Sequence, residues 1–462
     1  MATEQRQDQI SDEITAALES GSVQEIIAVS EKGHPADVAT GLELLDDERR
    51  DLILTSLPAD TLSHLIEFLP ASDVEQALDQ RTEDDQRQVL EALPDDELAD
   101  FIQEVSRTEA ATFSNLLSAD KKAALDKLLE YPENTAGGRM TTAFAKLRKN
   151  LTIGQAIQQL ENQKESTEVL SRIYIVDAKN RIVGKLRLRD LTFNPPECLI
   201  KDVMITEPIT VTADTDQEEA AQMMQKYDFV ALPVVNKKDH LLGVITHDDA
   251  MDILEEETTE DIEKASGIGG ERGDVAYLQI PVLTHFKRRF LWVLGLAFTA
   301  LTSGWILHSY EKELSSAFIL TLYLPMIVAA GGNTGAQSAT MIIRAMALGE
   351  LSTGQFFRAI WKEMRVGMLI GLVLGTCIAA QIHFFPIEQV DKGLSSLAFA
   401  GVVGFSLTIQ ILSSTIIGAA LPLLATTARL DPAVVASPAI TTLVDITGMI
   451  IYFAIASALL AI

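Results

Sequence analysis

The sequence predicts a multidomain chain of three parts: an all-α superhelical N-terminal domain, an α/β domain made of a tandem repeat, and a transmembrane domain of five α-helices. Three observations predict it. Residues 1–290 hold 30 Lys+Arg and 57 Asp+Glu, against 7 and 8 in residues 291–462, so nearly all of the net charge of −28 lies in the first two parts. A strand-turn-strand-helix pattern at Arg172 recurs 59 residues later. Five long stretches in the last part are free of charge or nearly so. The acidic balance offers no basic footprint, so no nucleic-acid partner is expected.

The N-terminal part, expected at residues 1–131, reads as helical from Glu13 to about Tyr131. "LPAD" begins at Leu57, "LPAS" at Leu69 and "LPDD" at Leu93, separated by multiples of twelve. Proline beside Asp or Ser marks a helix start, and a fixed period implies a superhelix of short helices. Two readings stay open: a scaffold with no site of its own, or a site using Asp96 and Asp100, whose i, i+4 spacing sets two carboxylates on one face.

The second part, expected at residues 132–260, contains the repeat. "RIYIVDAKNRIVGKLRLRDL" from Arg172 overlays "ALPVVNKKDHLLGVITHDDA" from Ala231, matching Val176 to Val235, Gly184 to Gly243 and Asp190 to Asp249. Strand, turn, strand and helix twice over resemble a tandem pair of cystathionine-β-synthase (CBS) domains. That resemblance implies sensing of adenosine nucleotides or ions on behalf of an attached domain. In the second copy Thr246 and Asp249 show the Ser/Thr-x-x-Asp spacing that binds ribose in some members, making them the candidate ATP site. The first copy has Arg187 and Asp190 there, and a purely structural role is the alternative.

After the repeat, Asp248, Asp249, Asp252, Glu255, Glu256, Glu257, Glu260 and Asp261 crowd one segment. On a helix Asp249, Asp252, Glu256 and Glu260 share a side, while Glu257 and Asp261 form an adjacent pair. Like charges this dense repel unless a cation lies between them, and oxygen-only ligands favour Mg²⁺ or Ca²⁺. A solvated acidic face is the alternative to a metal sensor.

The charge-poor stretches are Phe290–Tyr310, Leu314–Ile343, Val366–Ile387, Gly393–Ala428 and Pro432–Ile462. Each exceeds the roughly 20 residues that span a bilayer, so the transmembrane domain is expected at 290–462. Lys287, Arg288 and Arg289, then Arg344, Arg358, Lys362 and Arg365, then Arg429 flank one side of the spans; Lys312 and Lys392 flank the other. The positive-inside rule puts the N-terminus in the cytoplasm and the C-terminus outside the inner membrane, among lipid. No cleavable signal is expected, because the first thirty residues are polar and acidic. Cys198 and Cys377 lie in different parts, which argues against a disulfide framework.

Asp445 stands in the middle of the last stretch, where a carboxylate costs roughly 2.5–3.5 kcal/mol and so should face a bundle interior or a water path. Thr441 and Ser437 precede it at i−4 and i−8, giving one polar stripe. No Lys or Arg lies within the stretches to pair with it, which leaves the transported cation as its partner; neutralisation by a proton or hydrogen bond is the alternative. In "LPMIVAAGGNTGAQSATMIIR", Gly331, Gly332 and Gly335 permit close helix packing, while Asn333, Gln337 and Ser338 offer neutral oxygens to an ion's water or to neighbouring helices. Such groups suit Mg²⁺, which gives up its water reluctantly.

Together, "YPENTAGGRMTT", "VITHDDAMDILEEETTEDI", "PMIVAAGGNTGAQSAT" and "LDPAVVASPAITTLVDITGMIIYF" resemble the MgtE family of magnesium channels. The resemblance implies a homodimer with a pore on its axis, a connecting plug helix at about 261–289, and gating by cytoplasmic Mg²⁺. It implies Asp445 as the pore acid, Asp431 as a residue facing the plug, and Asp249, Asp252, Glu257, Glu260 and Asp261 as the acidic sensor, with Asp96 and Asp100 opposite. Ser437 and Thr441 depart from the amide and small residues expected along the pore, leaving selectivity among Mg²⁺, Mn²⁺, Co²⁺ and Ca²⁺ open. No enzymatic site is expected, and the absence of a Walker-type loop disfavours an ATP-driven pump. A gradient-driven transporter with Asp445 as its protonation site and a nucleotide-regulated receptor are the alternatives.

Overall fold

The computed structural model describes residues 16–17, 23–30, 33–43, 45–163, 167, 169–270, 280–311, 319–347, 349–385, 395–428, 430–432 and 437–460. Glu13, Lys312, Lys392 and Arg429 lie outside them. The chain divides into two compact units, Met1–Glu257 with Gly273–Val275, and Thr258–Arg272 with Ala276–Ile462.

The first unit opens with short helices: α1 (Val23–Ser30), α2 (Pro35–Glu43), α3 (Asp47–Ser56), α4 (Ala59–Ser63), α5 (Ala71–Asp79), α6 (Glu83–Ala92), α7 (Asp95–Glu104), α8 (Arg107–Leu116) and α9 (Ala119–Leu128). From α3 onward the residue capping each N-terminus is Asp46, Pro58, Pro70, Thr82, Pro94, Ser106 and Ser118, one every twelfth position. Three caps are the prolines of the sequence motifs. The other four accept a backbone N–H through a side-chain oxygen, as Asp46 does from Arg49 at 3.0 Å. The residue before most caps is apolar and buried: Leu57, Leu69, Leu93, Val105 and Leu117. Arg81 fills that place before Thr82 and donates to the carbonyls of Leu54 and Leu57, both at 2.6 Å.

The repeat follows. Strands β1 (Phe144–Arg148), β2 (Val169–Val176), β3 (Ile182–Arg187) and β4 (Ile205–Thr206) form one sheet in that order; β5 (Val211–Thr212), β6 (Ala231–Val235) and β7 (Leu241–Thr246) form another. In each the first pair is parallel and the later ones antiparallel. Helices α10 (Ile153–Glu161), α11 (Leu188–Phe193), α12 (Ile200–Val203) and α13 (Gln217–Tyr227) complete the copies. The 59-residue offset holds down to the turns, where Asn180 (φ 61°) and Asp239 (φ 60°) both adopt the left-handed conformation that short polar side chains tolerate. The turns pair with each other: Ile182 N–H donates to Asp239 O and Leu241 N–H to Asn180 O, both at 3.1 Å. One hydrophobic core joins the N-terminal helices to the second copy, from Leu125 and Phe113 through Met140 to Val234 and Ile253.

Helix α14 (His247–Ala265) carries the acid-rich segment. It ends where Gly267 turns left-handed (φ 71°) and Ile268 N–H returns to Glu263 O at 2.9 Å. The expected connecting helix over 261–289 is therefore divided: its first residues close α14 and its last lie in α15 (Val282–Ser309), which starts behind Pro281.

Among the described residues the second unit contains five helices long and apolar enough to cross a membrane: α15, α16 (Ile319–Ala347), α17 (Phe356–Phe384), α18 (Ser396–Thr427) and α19 (Ser437–Leu460). The all-α, CBS-type α/β and five-helix parts expected from the sequence are thus all present. Helix α18 packs against α16, α17 and α19, and α15 rests on α19. Tyr323, Phe399, Tyr452 and Phe453 fill the core at one end, and the Tyr452 hydroxyl finds the polar partner a buried phenol needs by donating to Leu320 O at 2.9 Å.

Candidate functional site

The two adjacent glycines of α16 face different neighbours. A Cβ at Gly332 would stand 3.2 Å from Thr441 Cγ2, a tight contact, and 3.5 Å from Asp445 Oδ1, an ordinary one, so glycine eases the approach of α16 to α19 beside the acid. A Cβ at Gly331 would stand 2.4 Å from Gln410 Nε2 of α18. Thr441 and Asp445, one turn apart, are both half-buried. Asn333, the next residue of α16, is exposed on the single chain, as is Gln337. Ser437 begins α19, but its side chain lies outside the described residues.

Further along α16, the buried Ser338 hydroxyl reaches Glu363 Oε2 at 2.8 Å and Thr415 O at 3.0 Å. Sequence reasoning missed Glu363, because Lys362 and Arg365 beside it make it read as a loop charge. It missed Gln410 as well; the only signal was an amide within "GFSLTIQILSS".

Where α14 ends, Lys264 Nζ lies 2.6 Å from Glu260 Oε1 and 2.8 Å from Asp431 Oδ2. Burial opposes the charge on Lys264, but its hydrogen bonds to Asp431 and Glu260 outweigh that and hold the ammonium well above its usual range. Arg288 of α15 is bonded to Glu263 and to the carbonyls of Gly269 and Gly270, fixing the connection on the same unit.

In the first unit a second cation performs a similar task. Arg139 Nη2 meets Glu256 Oε2 at 2.5 Å, its Nη1 lies 3.7 Å from Asp100 Oδ2, and its Nε donates to Gln217 Oε1 at 3.0 Å. Gln217 Nε2 in turn donates to Glu257 Oε1 at 2.7 Å. Around them, acids of the N-terminal helices meet acids of α14. Glu97 is pushed up to about 9, first by burial and then by Glu67, Asp96, Asp100 and Asp249. Glu67 is raised by burial and by Asp252, Asp248 and Asp249; Asp249 and Asp252 are raised by burial and by their acidic neighbours. Sequence reasoning selected Asp96, Asp100, Asp249 and Asp252 but passed over Glu67, Glu97 and Arg139. Glu97 lies inside the "LPDDELAD" motif and could have been found there.

Thr246 and Asp249, the candidate nucleotide pair, are bonded to each other, with Oγ1 donating to Oδ2 at 2.5 Å and the Thr246 amide at 3.1 Å. Arg187 N–H makes the equivalent bond to Asp190 at 3.0 Å. Glu260 and Asp261 belong to the second unit with Asp431. Among the described residues no group of three or more His, Cys, Asp and Glu is placed to hold a metal ion. The acids of each unit lie close together beside one cation, Arg139 in the first and Lys264 in the second.

The comparisons with known proteins follow the same division. Residues 33–134 match the MgtE intracellular N domain, 136–195 and 200–256 match CBS domains, and 324–455 match MgtE, described as a divalent cation transporter. The magnesium transporter MgtE of Thermus thermophilus is 36% identical over 333 residues, 72% of each chain. That of Enterococcus faecalis is 33% identical over 330 residues, 71% of this chain and 70% of its own. The solved cytosolic domain of the Mg²⁺ channel MgtE in complex with ATP is 32% identical, with a TM-score of 0.50 over 53% of this chain and 99% of its own. On these matches the chain belongs to the MgtE family of divalent cation transporters.

Proposed function

We propose that the protein is a homodimeric Mg²⁺ channel of the cell membrane, with its pore on the dimer axis and with cytoplasmic acids that close it when internal Mg²⁺ is high. It is a transporter and not an enzyme. One observation carries the reading of the pore: a Cβ at Gly332 would stand 3.2 Å from Thr441 Cγ2 and 3.5 Å from Asp445 Oδ1, so α16 meets α19 beside its membrane carboxylate. Asp445 supplies charge to a hydrated ion, with Thr441, Asn333 and Ser437 as neutral oxygens for its water.

Regulation uses Asp96, Asp100, Asp249, Asp252, Glu257, Glu260, Asp261 and Asp431. Repulsion among neighbouring acids is relieved when Mg²⁺ binds to them, and a ligand shifts the gate only if its sites exist mainly in the closed form. The solved relative with ATP supports a nucleotide at Thr246 and Asp249. For ribose to bind there, the bond between those two side chains has to open. The N-terminal parts lie in the cytoplasm and the C-terminus outside.

The test is flux into liposomes with Mg²⁺, Mn²⁺, Co²⁺ and Ca²⁺ supplied separately, with and without a proton gradient. Passive Mg²⁺ flux supports the channel. Dependence on the gradient overturns it in favour of a coupled transporter with Asp445 as its proton site.

A further inference from the structure

Gln410 lies in the middle of α18 with none of its surface exposed. Its Nε2 donates to the carbonyl of Val444 at 3.0 Å, the residue immediately before Asp445. The Thr447 hydroxyl donates to that same carbonyl at 3.1 Å. The amide lies between glycines of two other helices: a Cβ at Gly331 would stand 2.4 Å from Nε2, and one at Gly448 would stand 2.5 Å from it. Its Oε1 is buried without a hydrogen-bond partner among the described residues.

This arrangement is costly for packing alone. A Met or Leu at 410 would fill similar volume among apolar helices with no amide to desolvate, and a buried carbonyl oxygen without a partner is unfavourable. What the amide adds is direction. A hydrogen bond to the carbonyl of Val444 fixes the rotation of α19 at the turn from which Asp445 projects. The glycine next to the one that admits Gln410 is Gly332, which faces Thr441 and Asp445. Gln410 and Asp445 are thus set by consecutive residues of α16.

We propose that Gln410 is a positioning residue of the ion path: it anchors Val444 so that Asp445 is held opposite Gly332 at the spacing a hydrated ion requires. Mg²⁺ keeps its water and demands a regular shell, whereas Ca²⁺ accepts irregular and variable oxygen ligands. Loosening the anchor lets the carboxylate wander, which harms Mg²⁺ more than Ca²⁺. The inference rests on the reading of Asp445 as the pore acid.

The experiment compares the full chain in liposomes with Gln410→Met, Gln410→Asn and Asp445→Ala, measuring half-saturating Mg²⁺ and the ratio of Mg²⁺ to Ca²⁺ flux. Gln410→Met keeps the volume and removes the donor; Gln410→Asn keeps an amide too short to reach Val444. Half-saturation is expected to rise about tenfold, as when an outer-shell support of an ion ligand is removed, and the Mg²⁺ to Ca²⁺ ratio to fall. A merely structural role would lower all fluxes together and leave both quantities unchanged, and that result overturns the inference. If Gln410→Met does not fold, Gln410→Asn decides by the same two readouts. Wild-type flux in Asp445→Ala overturns the underlying reading instead, while a silent Asp445→Ala with unchanged Gln410 variants removes only the role of Gln410.

Discussion

Lys264 Nζ stands 2.8 Å from Asp431 Oδ2, joining the end of the acid-rich helix to the residue just ahead of the last membrane helix. The same ammonium is 2.6 Å from Glu260, so one cation of the chain neutralises two acids assigned to a metal sensor. Arg139 lies in the same way between Asp100, another of those acids, and Glu256. On the proposed function both cations compete with Mg²⁺ for these carboxylates.

Replacing Lys264 with Met removes the ammonium that Glu260 and Asp431 share and so removes its competition with Mg²⁺ for those carboxylates. The Mg²⁺ concentration that half-protects the connecting segment from protease should fall by about tenfold, equivalent to about 1.4 kcal/mol. Titration of protection against Mg²⁺ checks this, and an unchanged midpoint would separate Lys264 from regulation.

Asp445→Ala should abolish Mg²⁺ uptake while the protein remains folded. The carboxylate costs roughly 2.5–3.5 kcal/mol in the membrane, so its removal does not weaken the bundle. Flux in liposomes beside a thermal melt reads both halves of the prediction.

Glu97 sets a pH dependence. Its carboxyl is raised from the ordinary 4.5 to about 9 in the folded state, so its contribution to stability is complete below the ordinary value and is lost as pH rises toward 9. Without Mg²⁺, the melting temperature of the cytoplasmic part should fall by a few degrees between about pH 6 and pH 9, and Glu97→Gln should flatten the slope. Added Mg²⁺ should restore stability at the alkaline end, where the ionised acids bind it.

Neutralising Asp249, Glu257 and Asp261 together should leave channels open at high internal Mg²⁺. Closure at the wild-type Mg²⁺ concentration would reduce the acidic face to a solvated surface.

Most of the architecture was legible because its signals are local. Apolar length announces membrane helices, and the 59-residue offset announces a second copy of the strand-turn-strand-helix unit, with Val235, Gly243 and Asp249 matching Val176, Gly184 and Asp190. The candidate site was legible only where residue type was itself unusual, as with Asp445. Gln410 and Glu363 were missed because their meaning comes from residues on other helices, Val444 for one and Ser338 for the other. Arg139 lies 117 positions from Glu256, and nothing in the spacing announces that pair. The connecting helix was expected to be continuous because the resemblance implied it; the left-handed Gly267 was visible in sequence only as one glycine of "SGIGG".

The caps at every twelfth residue give the N-terminal part a natural quantum of length. An insertion or deletion of one whole module keeps each Leu-cap pair in phase with its neighbours, whereas any other length puts a cap inside a helix and turns a core side chain outward. The acids that meet α14 are consequently located by counting modules from Asp46 to Pro94. Adding or removing a module ahead of Asp46 should leave them in place, while the same change between Pro94 and Ser118 would move Glu97 one step along the array from the core it shares with the second copy. The distal end can therefore lengthen by whole modules without disturbing the core that α7 to α9 share with the second copy.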